Sequence, residues 1–172
     1  IQTTPIQLCL MTAQIANGGY KIYTYIVAGD EQKNQPADKY TPLYENSKNI
    51  RIVKDAIFGS TNEVMGTSYK SRIDNPKYQF AGKTGTAQVK KITERDRELD
   101  LKTFEIPYEE RDYALYVAFG PYKNPRYALS VIVEHGGNGS TTAAPMAKKL
   151  FKLIIDRHNL RQSMDDKRYL EI

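Results

Sequence analysis

The chain has 172 residues, 40% of them hydrophobic and 26% charged, with a formal net charge of +5 and a pI near 9.1. This is apolar material enough for the core of one ordinary domain, and it excludes a disordered, charge-dominated segment. A lone cysteine, Cys9, excludes an intrachain disulfide framework, and no apolar run approaches the ~20 residues of a membrane span.

"TTPIQLCLMTAQIANGG" predicts a helix: Thr4 caps it, Pro5 suits its first position, and Gly18 and Gly19 stop it. Cys9 falls inside this pattern and reads as a small buried hydrophobe. "YKIYTYIVAG" has strand composition, and the polar stretch 30–46, with Pro36 and Pro42, reads as a loop. "NIRIVKDAIFGSTNE" sets Ile50, Val53 and Ile57 at helical spacing and predicts a second amphipathic helix. "VMGTSYKSRID" reads as a short helical turn leading into the strand "FAGKTGTAQV". More than half of the residues from Lys90 to Asp112 are charged, of both signs, which marks a solvated insertion between two strands. "YALYVAFGPYKNPRYALSVIVEH" is a hairpin turning at Asn124-Pro125, and "GGNGS" is a loop. "TTAAPMAKKLFKLIIDRH" gives a third helix with Leu150, Leu153 and Ile154 on one face, and the polar residues 161–172 read as a frayed tail. The predicted class is α+β, an antiparallel sheet with flanking helices over residues 1–160. Most of the thirteen tyrosines alternate with apolar residues in strand-like runs, so they read as sheet packing and not as stacking platforms for nucleic acid.

The glycine-lysine-threonine core of "FAGKTGTAQV" serves two unrelated chemistries. A phosphate-binding loop needs G-x-x-x-x-G-K-[ST] with a helix starting at the lysine. The first glycine would have to stand at position 77, which is Lys77, and "TGTAQV" is a poor helix start. Both requirements fail.

The second chemistry is acyl transfer to an active-site serine, in which K-T-G is one of three marks beside S-x-x-K and S-x-N. A peptide ending in a carboxylate can lie antiparallel to an edge strand and be held by main-chain hydrogen bonds. Thr84 and Thr86 project to one face and can donate to the carboxylate; Lys83 points the other way and supplies positive potential to neighbouring serines. Gly85 removes a side chain that would hold the substrate away, and the Thr86 N–H is placed to form half of an oxyanion hole. Gln88 continues the hydroxyl-bearing face and is either a substrate contact or a ladder side chain. A lone K-T-G is weak, because an ordinary edge strand also uses Lys and Thr against aggregation.

The partner motifs do not appear. None of Ser47, Ser60, Ser68, Ser71, Ser130, Ser140 and Ser163 has a lysine three residues later. Ser47-Lys48-Asn49 and Ser60-Thr61-Asn62 match S-x-N, but both sit at helix ends, where such residues act as caps and breakers. His135, after a strand and before glycines, reads as structural, and His158 as a surface residue near a helix C-terminus.

Five blocks, "TPIQLCLMTAQIANGG", "GTSYKSRI", "AGKTGTAQV", "AFGPYKNPRYALSVIVEHGGNGS" and "AAPMAKKLF", resemble in order the C-terminal part of the penicillin-binding protein 2 family, the elongation-specific class B D,D-transpeptidases. The likeness runs from about Thr3 to about Ile155. It implies a serine β-lactamase-like fold and a membrane-anchored enzyme on the periplasmic face of the bacterial inner membrane. Such an enzyme cross-links peptidoglycan stem peptides through an acyl-serine, is acylated by β-lactams, and works beside a membrane glycosyltransferase of the elongation machinery. No cofactor, metal or nucleic acid is implied. Lys83, Thr84, Gly85 and Thr86 take the K-T-G wall of the cleft. In that family the S-x-x-K serine and lysine and the true S-x-N lie before the "TPIQL" helix, so this polypeptide alone is expected not to acylate. A division-specific transpeptidase, a serine β-lactamase relative and a non-catalytic peptide- or nucleic-acid-binding domain are the alternatives.

Overall fold

The computed structural model describes residues 2–27, 40–90, 94 and 101–170, with side chains of the last helix described to Ser163. In chain order the regular elements are α1 (Pro5–Ala16), α2 (Ser47–Asn62), β1 (Ala81–Ala87), β2 (Tyr113–Gly120), β3 (Tyr127–Val133) and α3 (Ala143–Leu170).

The helix starts are chemically encoded. Thr4 Oγ1 accepts the Gln7 N–H and the Gln7 side chain accepts the Thr4 N–H, a capping box with Pro5 in the first turn. Beyond Ala16 the chain leaves through Gly18 (φ +96°) and Gly19 (φ +89°), both left-handed. Asn46 caps α2 by accepting the Lys48 N–H at 2.9 Å. A 3-10 turn, Tyr69–Ser71, stands where the sequence predicts one.

The three strands form one antiparallel sheet in the order β1-β2-β3, with Lys83 opposite Val117, Thr84 opposite Tyr116 and Thr86 opposite Ala114. One face carries Ala81, Phe119 and Ala128 against Ala16, Ile57 and Phe58 of α1 and α2. The other carries Ala114, Tyr116, Ala118 and Leu129 against Ala143, Ala144, Ala147 and Phe151 of α3. Alanines at the α3 contact bring that helix close to the sheet, and Phe151 fills the remaining space by stacking on Phe80 at 5.0 Å between centroids. The result is the α+β arrangement expected from the sequence.

Several local expectations change. Residues 20–27 of the strand-like "YKIYTYIVAG" do not join the sheet. Their backbone instead turns to residues 40–43, through Lys21 N–H to Thr41 O at 2.9 Å and Tyr40 N–H to Lys21 O at 2.8 Å. Strand composition rewards a pleated, half-buried surface, which the sheet does not offer this segment. Residues 28–39, including most of the predicted loop, lie outside the described residues. In α2 the inward stripe runs through Ile50, Ile57 and Thr61, while Val53 is exposed. The last helix continues to Leu170 instead of giving way to a tail at 161–172, because no glycine or proline follows Pro145 and the residues are helix formers. It is 28 residues long but charged, and no helix among the described residues is apolar enough to cross a membrane.

Of the charged insertion, residues 91–93 and 95–100 lie outside the described residues. Its two ends meet. The Val89 N–H donates to Asp112 Oδ1 at 3.2 Å, and Lys90 pairs with Glu110 at 2.7 Å. The returning stretch is fixed by His135, whose ring packs on Tyr108 and Tyr113 and whose Nδ1 lies 3.2 Å from Arg111 O. Left-handed at φ +53°, His135 turns the end of β3 into the glycine loop. This is the structural role its position suggested.

Candidate active site

β1 is an edge strand of the sheet, and its outer edge is closed at one end and open at the other. Thr61 Oγ1, at the end of α2, accepts the Gly82 N–H at 3.0 Å and donates to Gly82 O at 3.0 Å. The next residue, Asn62, donates its Nδ2 to Phe80 O at 2.9 Å. Gly82 therefore turns its polar backbone away from β2. In an antiparallel ladder the residues two and four further on do the same, so the backbone N–H and C=O groups of Thr84 and Thr86 lie on the free edge. α2 stops capping where the K-T-G residues begin.

The capped end rests on a buried hydroxyl cluster. Tyr116 Oη lies 2.8 Å from Thr61 Oγ1 and 3.0 Å from Ser68 Oγ, and Ser68 donates to Ser60 O at 3.0 Å. The protons can be assigned: Thr61 spends its proton on Gly82 O and Ser68 spends its on Ser60 O, so the single phenolic proton is directed between the Thr61 and Ser68 oxygens, nearer to Thr61. Burial pushes the Tyr116 pKa above its ordinary value, opposed by the Ser68 and Thr61 hydrogen bonds. Gly82 is required here, since a Cβ on it would stand 2.4 Å from Tyr116 Oη.

At the open end, Thr84 Oγ1 lies 3.4 Å from Thr67 Oγ1, which lies 3.1 Å from Ser60 Oγ, so three hydroxyls form a row beside the edge. Lys83 leaves the strand on the face opposite to Thr84, as the pleat requires. Its ammonium does not reach a serine among the described residues. It folds over the edge and donates to Thr84 O at 2.9 Å and Thr84 Oγ1 at 3.4 Å. A peptide pairing with Thr84 O must displace it. Thr86 is exposed, and Gln88, one residue past the last paired position, Ala87, is exposed too. A Cβ on Gly85 would lie 3.3 Å from Leu115 Cβ. The glycine loop borders this end as well: a Cβ on Gly139 would stand 2.5 Å from Leu115 O and 2.9 Å from Gly85 O, so the loop backbone lies against the β1–β2 ladder.

The sequence-predicted residues Lys83, Thr84, Gly85 and Thr86 are thus brought together on one open strand edge, with Gln88 just beyond. Sequence reasoning missed Thr61, Asn62, Thr67, Ser68, Gly82 and Tyr116. From the sequence alone Ser60-Thr61-Asn62 reads as a helix-end S-x-N. It does end the helix, and its last two residues spend their side chains on the β1 edge. Lys83 in mid-strand also removes the phosphate-loop geometry, which requires a helix there.

Known proteins similar to this chain identify its family. The peptidoglycan D,D-transpeptidase MrdA of Salmonella typhimurium is 32% identical over 165 residues, which cover 89% of this chain and 25% of that protein. The protein of the same name from Haemophilus influenzae is 28% identical over 159 residues, covering 90% of this chain and 24% of its own length. Among solved structures, the PBP2 of Pseudomonas aeruginosa in complex with WCK 5153 superposes with a TM-score of 0.69 at 32% identity, over 88% of this chain and 30% of that one. The Helicobacter pylori complex of PBP2 with MreC gives a TM-score of 0.71 at 27% identity, over 90% of this chain and 25% of that one. The chain spans about a quarter of the length of these curated relatives. The family described as penicillin binding protein transpeptidase domain matches residues 1–152, a stretch that holds the sheet, the open edge and the start of α3, and the chain belongs to that family.

Proposed function

We propose that these residues form the peptide-gripping wall of a peptidoglycan D,D-transpeptidase of the elongation type. The observation that carries the reading is the β1 edge, capped through Gly82 by Thr61 and open at Thr84 and Thr86. A stem peptide ending in D-alanine adds to this edge as an antiparallel strand, taking the Thr84 carbonyl from Lys83. The Thr84 and Thr86 hydroxyls donate to its terminal carboxylate. The released ammonium of Lys83 adds positive potential beside that carboxylate, and the Thr86 N–H faces the carbonyl oxygen on which negative charge develops.

The chemistry is acyl transfer. A serine oxygen bonds to the penultimate D-alanine carbonyl carbon, the peptide bond breaks, and the terminal D-alanine leaves with a proton on its nitrogen. An amine of a neighbouring stem peptide then takes the acyl group and frees the serine. β-Lactams present the same carbonyl and carboxylate and acylate the same serine. With no S-x-x-K in the 172 residues, that serine is supplied by sequence outside them. The longer protein is placed at the periplasmic face of the inner membrane, beside a membrane glycosyltransferase. The solved complex of a Helicobacter pylori relative with MreC supports an MreC-like protein as a further partner.

Fluorescent penicillin tests this. The longer protein is expected to label and the 172-residue chain alone is not. Lys83→Ala in the longer protein is expected to slow labelling by roughly a hundredfold, the scale of losing one charge-stabilising group, with the thermal transition unchanged. Label on any serine of the 172 residues, or unchanged labelling of the alanine variant, would overturn the reading.

A further inference from the structure

Along β1 the free edge has a definite stop. Thr61 and Asn62, the last residues of α2, occupy it at Gly82 and at Phe80 just before the strand, and it is open from Thr84 onwards. A peptide that adds antiparallel to β1 runs towards Gly82, so its C-terminal end is the one that meets α2. It cannot continue past that point without displacing Thr61 and Asn62 from the backbone they cap. Whatever stands beside Thr84 therefore meets a peptide terminus.

That neighbour is Thr67, an exposed residue in the turn after α2, whose Oγ1 lies 3.4 Å from Thr84 Oγ1 and 3.1 Å from Ser60 Oγ. The turn is braced against the helix end. Gly66 donates its N–H to Glu63 O at 2.8 Å, and Ser68 donates its N–H to Ser60 O at 3.0 Å. The buried Ser68 hydroxyl adds a second bond to Ser60 O, also at 3.0 Å. A Cβ on Gly66 would stand 2.4 Å from Ser60 O and 2.5 Å from Gly59 O, so a glycine is what lets the turn approach the helix this closely. The Thr67 hydroxyl is thus held in place beside the last open position of the edge.

We propose, on the transpeptidase reading of this edge, that Thr67 determines specificity: together with Thr84 it binds the terminal carboxylate of the incoming peptide. Two hydroxyls 3.4 Å apart can each give a proton to one carboxylate, which accepts on both of its oxygens. Ser60 then turns its own proton to Thr67 Oγ1, so every oxygen of the row keeps a donor. A peptide ester or amide lacks the charge, and hydrogen bonds to an ionised acceptor are roughly twice as strong as neutral ones. The stop at the end of α2 therefore selects a free acid as well as a chain end.

The test uses the longer protein and its Thr67→Val and Thr67→Ser variants. Acylation rate constants are measured for benzylpenicillin and for its methyl ester, each in competition with fluorescent penicillin. In Thr67→Val the preference for the acid over the ester is expected to fall by about tenfold, the difference between a hydrogen bond to a charged acceptor and one to a neutral acceptor. Thr67→Ser keeps the hydroxyl and is expected to restore that preference. The Tm of both variants is expected to stay with that of the parent, because Thr67 is exposed. A merely structural residue would slow acid and ester alike. Equal slowing of the two, an unchanged preference in the valine variant, a serine variant that behaves like the valine one, or a Tm several degrees lower in the valine variant would each overturn the role of Thr67 and leave the transpeptidase reading standing. A parent protein that benzylpenicillin does not acylate would overturn both.

Discussion

Replacing Thr61 by valine keeps the shape of a fully buried side chain and deletes one hydroxyl. That oxygen accepts the Gly82 N–H, donates to Gly82 O and receives the Tyr116 phenol, at 3.0, 3.0 and 2.8 Å. Tyr116 can fall back on Ser68 at 3.0 Å, so its loss is small. Gly82 has no such substitute on its outer edge. One buried, unpaired N–H costs about 1–3 kcal/mol and a lost neutral hydrogen bond about 1 more, so Thr61→Val is expected to destabilise by about 3 kcal/mol. In a domain of this size that lowers Tm by roughly 6–12 °C. Thr61→Ser keeps the oxygen and loses one methyl, at about 1 kcal/mol. Urea unfolding of the three proteins measures both numbers, and hydrogen exchange at the Gly82 amide reports whether the lost protection is local. A valine variant within about 0.5 kcal/mol of the parent, the range of an ordinary surface change, would refute the edge-capping argument. So would a serine variant as unstable as the valine one.

Gly82→Ala places a methyl 2.4 Å from Tyr116 Oη, against a phenol held by two hydroxyls, and is expected to cost about 1–3 kcal/mol; an unchanged melting temperature would mean that the ring moves aside freely. Tyr122 gives a pH dependence. Burial first, then its hydrogen bond to Asp55 and that carboxylate's charge, push the phenol from 10.0 to about 12, with Arg51 opposing. The folded state thus holds the proton more tightly than the unfolded one. This stability is intact below pH 10.0 and is lost as pH rises towards about 12, a decline that Tyr122→Phe should flatten in melting curves across that range. Ile6, Met11, Ile52, Val64 and Met65 are exposed large apolar side chains, so the 172-residue chain is expected to self-associate in sedimentation velocity; a clean monomer at high concentration would contradict that expectation.

What the sequence disclosed about the fold was written in local chemistry. Thr4, Pro5 and the Gly18-Gly19 pair mark the limits of α1, and alternating apolar residues around Asn124-Pro125 mark the hairpin. Both signals act within a few residues. "YKIYTYIVAG" shows the limit of that approach, since its composition favours a strand and only the tertiary layout decides whether the sheet has an edge for it. The end of α3 was obscured for another reason: polar residues look like a tail unless their helix propensity is weighed. At the site, Lys83, Thr84, Gly85 and Thr86 were legible because four adjacent residues carry a recognisable chemistry. The support beneath them was not, because Thr61 and Ser68 on one side and Tyr116 on the other lie well apart from Gly82 in the sequence and meet it only through tertiary packing. The fold-back of Lys83 onto Thr84 O was hidden as well, since the pleat fixes where a lysine starts but not where four methylenes carry its charge.

The tie between Val89 and Asp112, backed by the Lys90–Glu110 pair, closes the charged insertion at its base, where the chain leaves and rejoins the sheet. Strain or length added beyond that point need not reach the β1–β2 register, and lengthening a loop costs little extra chain entropy, about 0.6 kcal/mol per doubling. An insertion placed past Lys90 is therefore expected to leave the Lys83–Thr86 strand edge undisturbed.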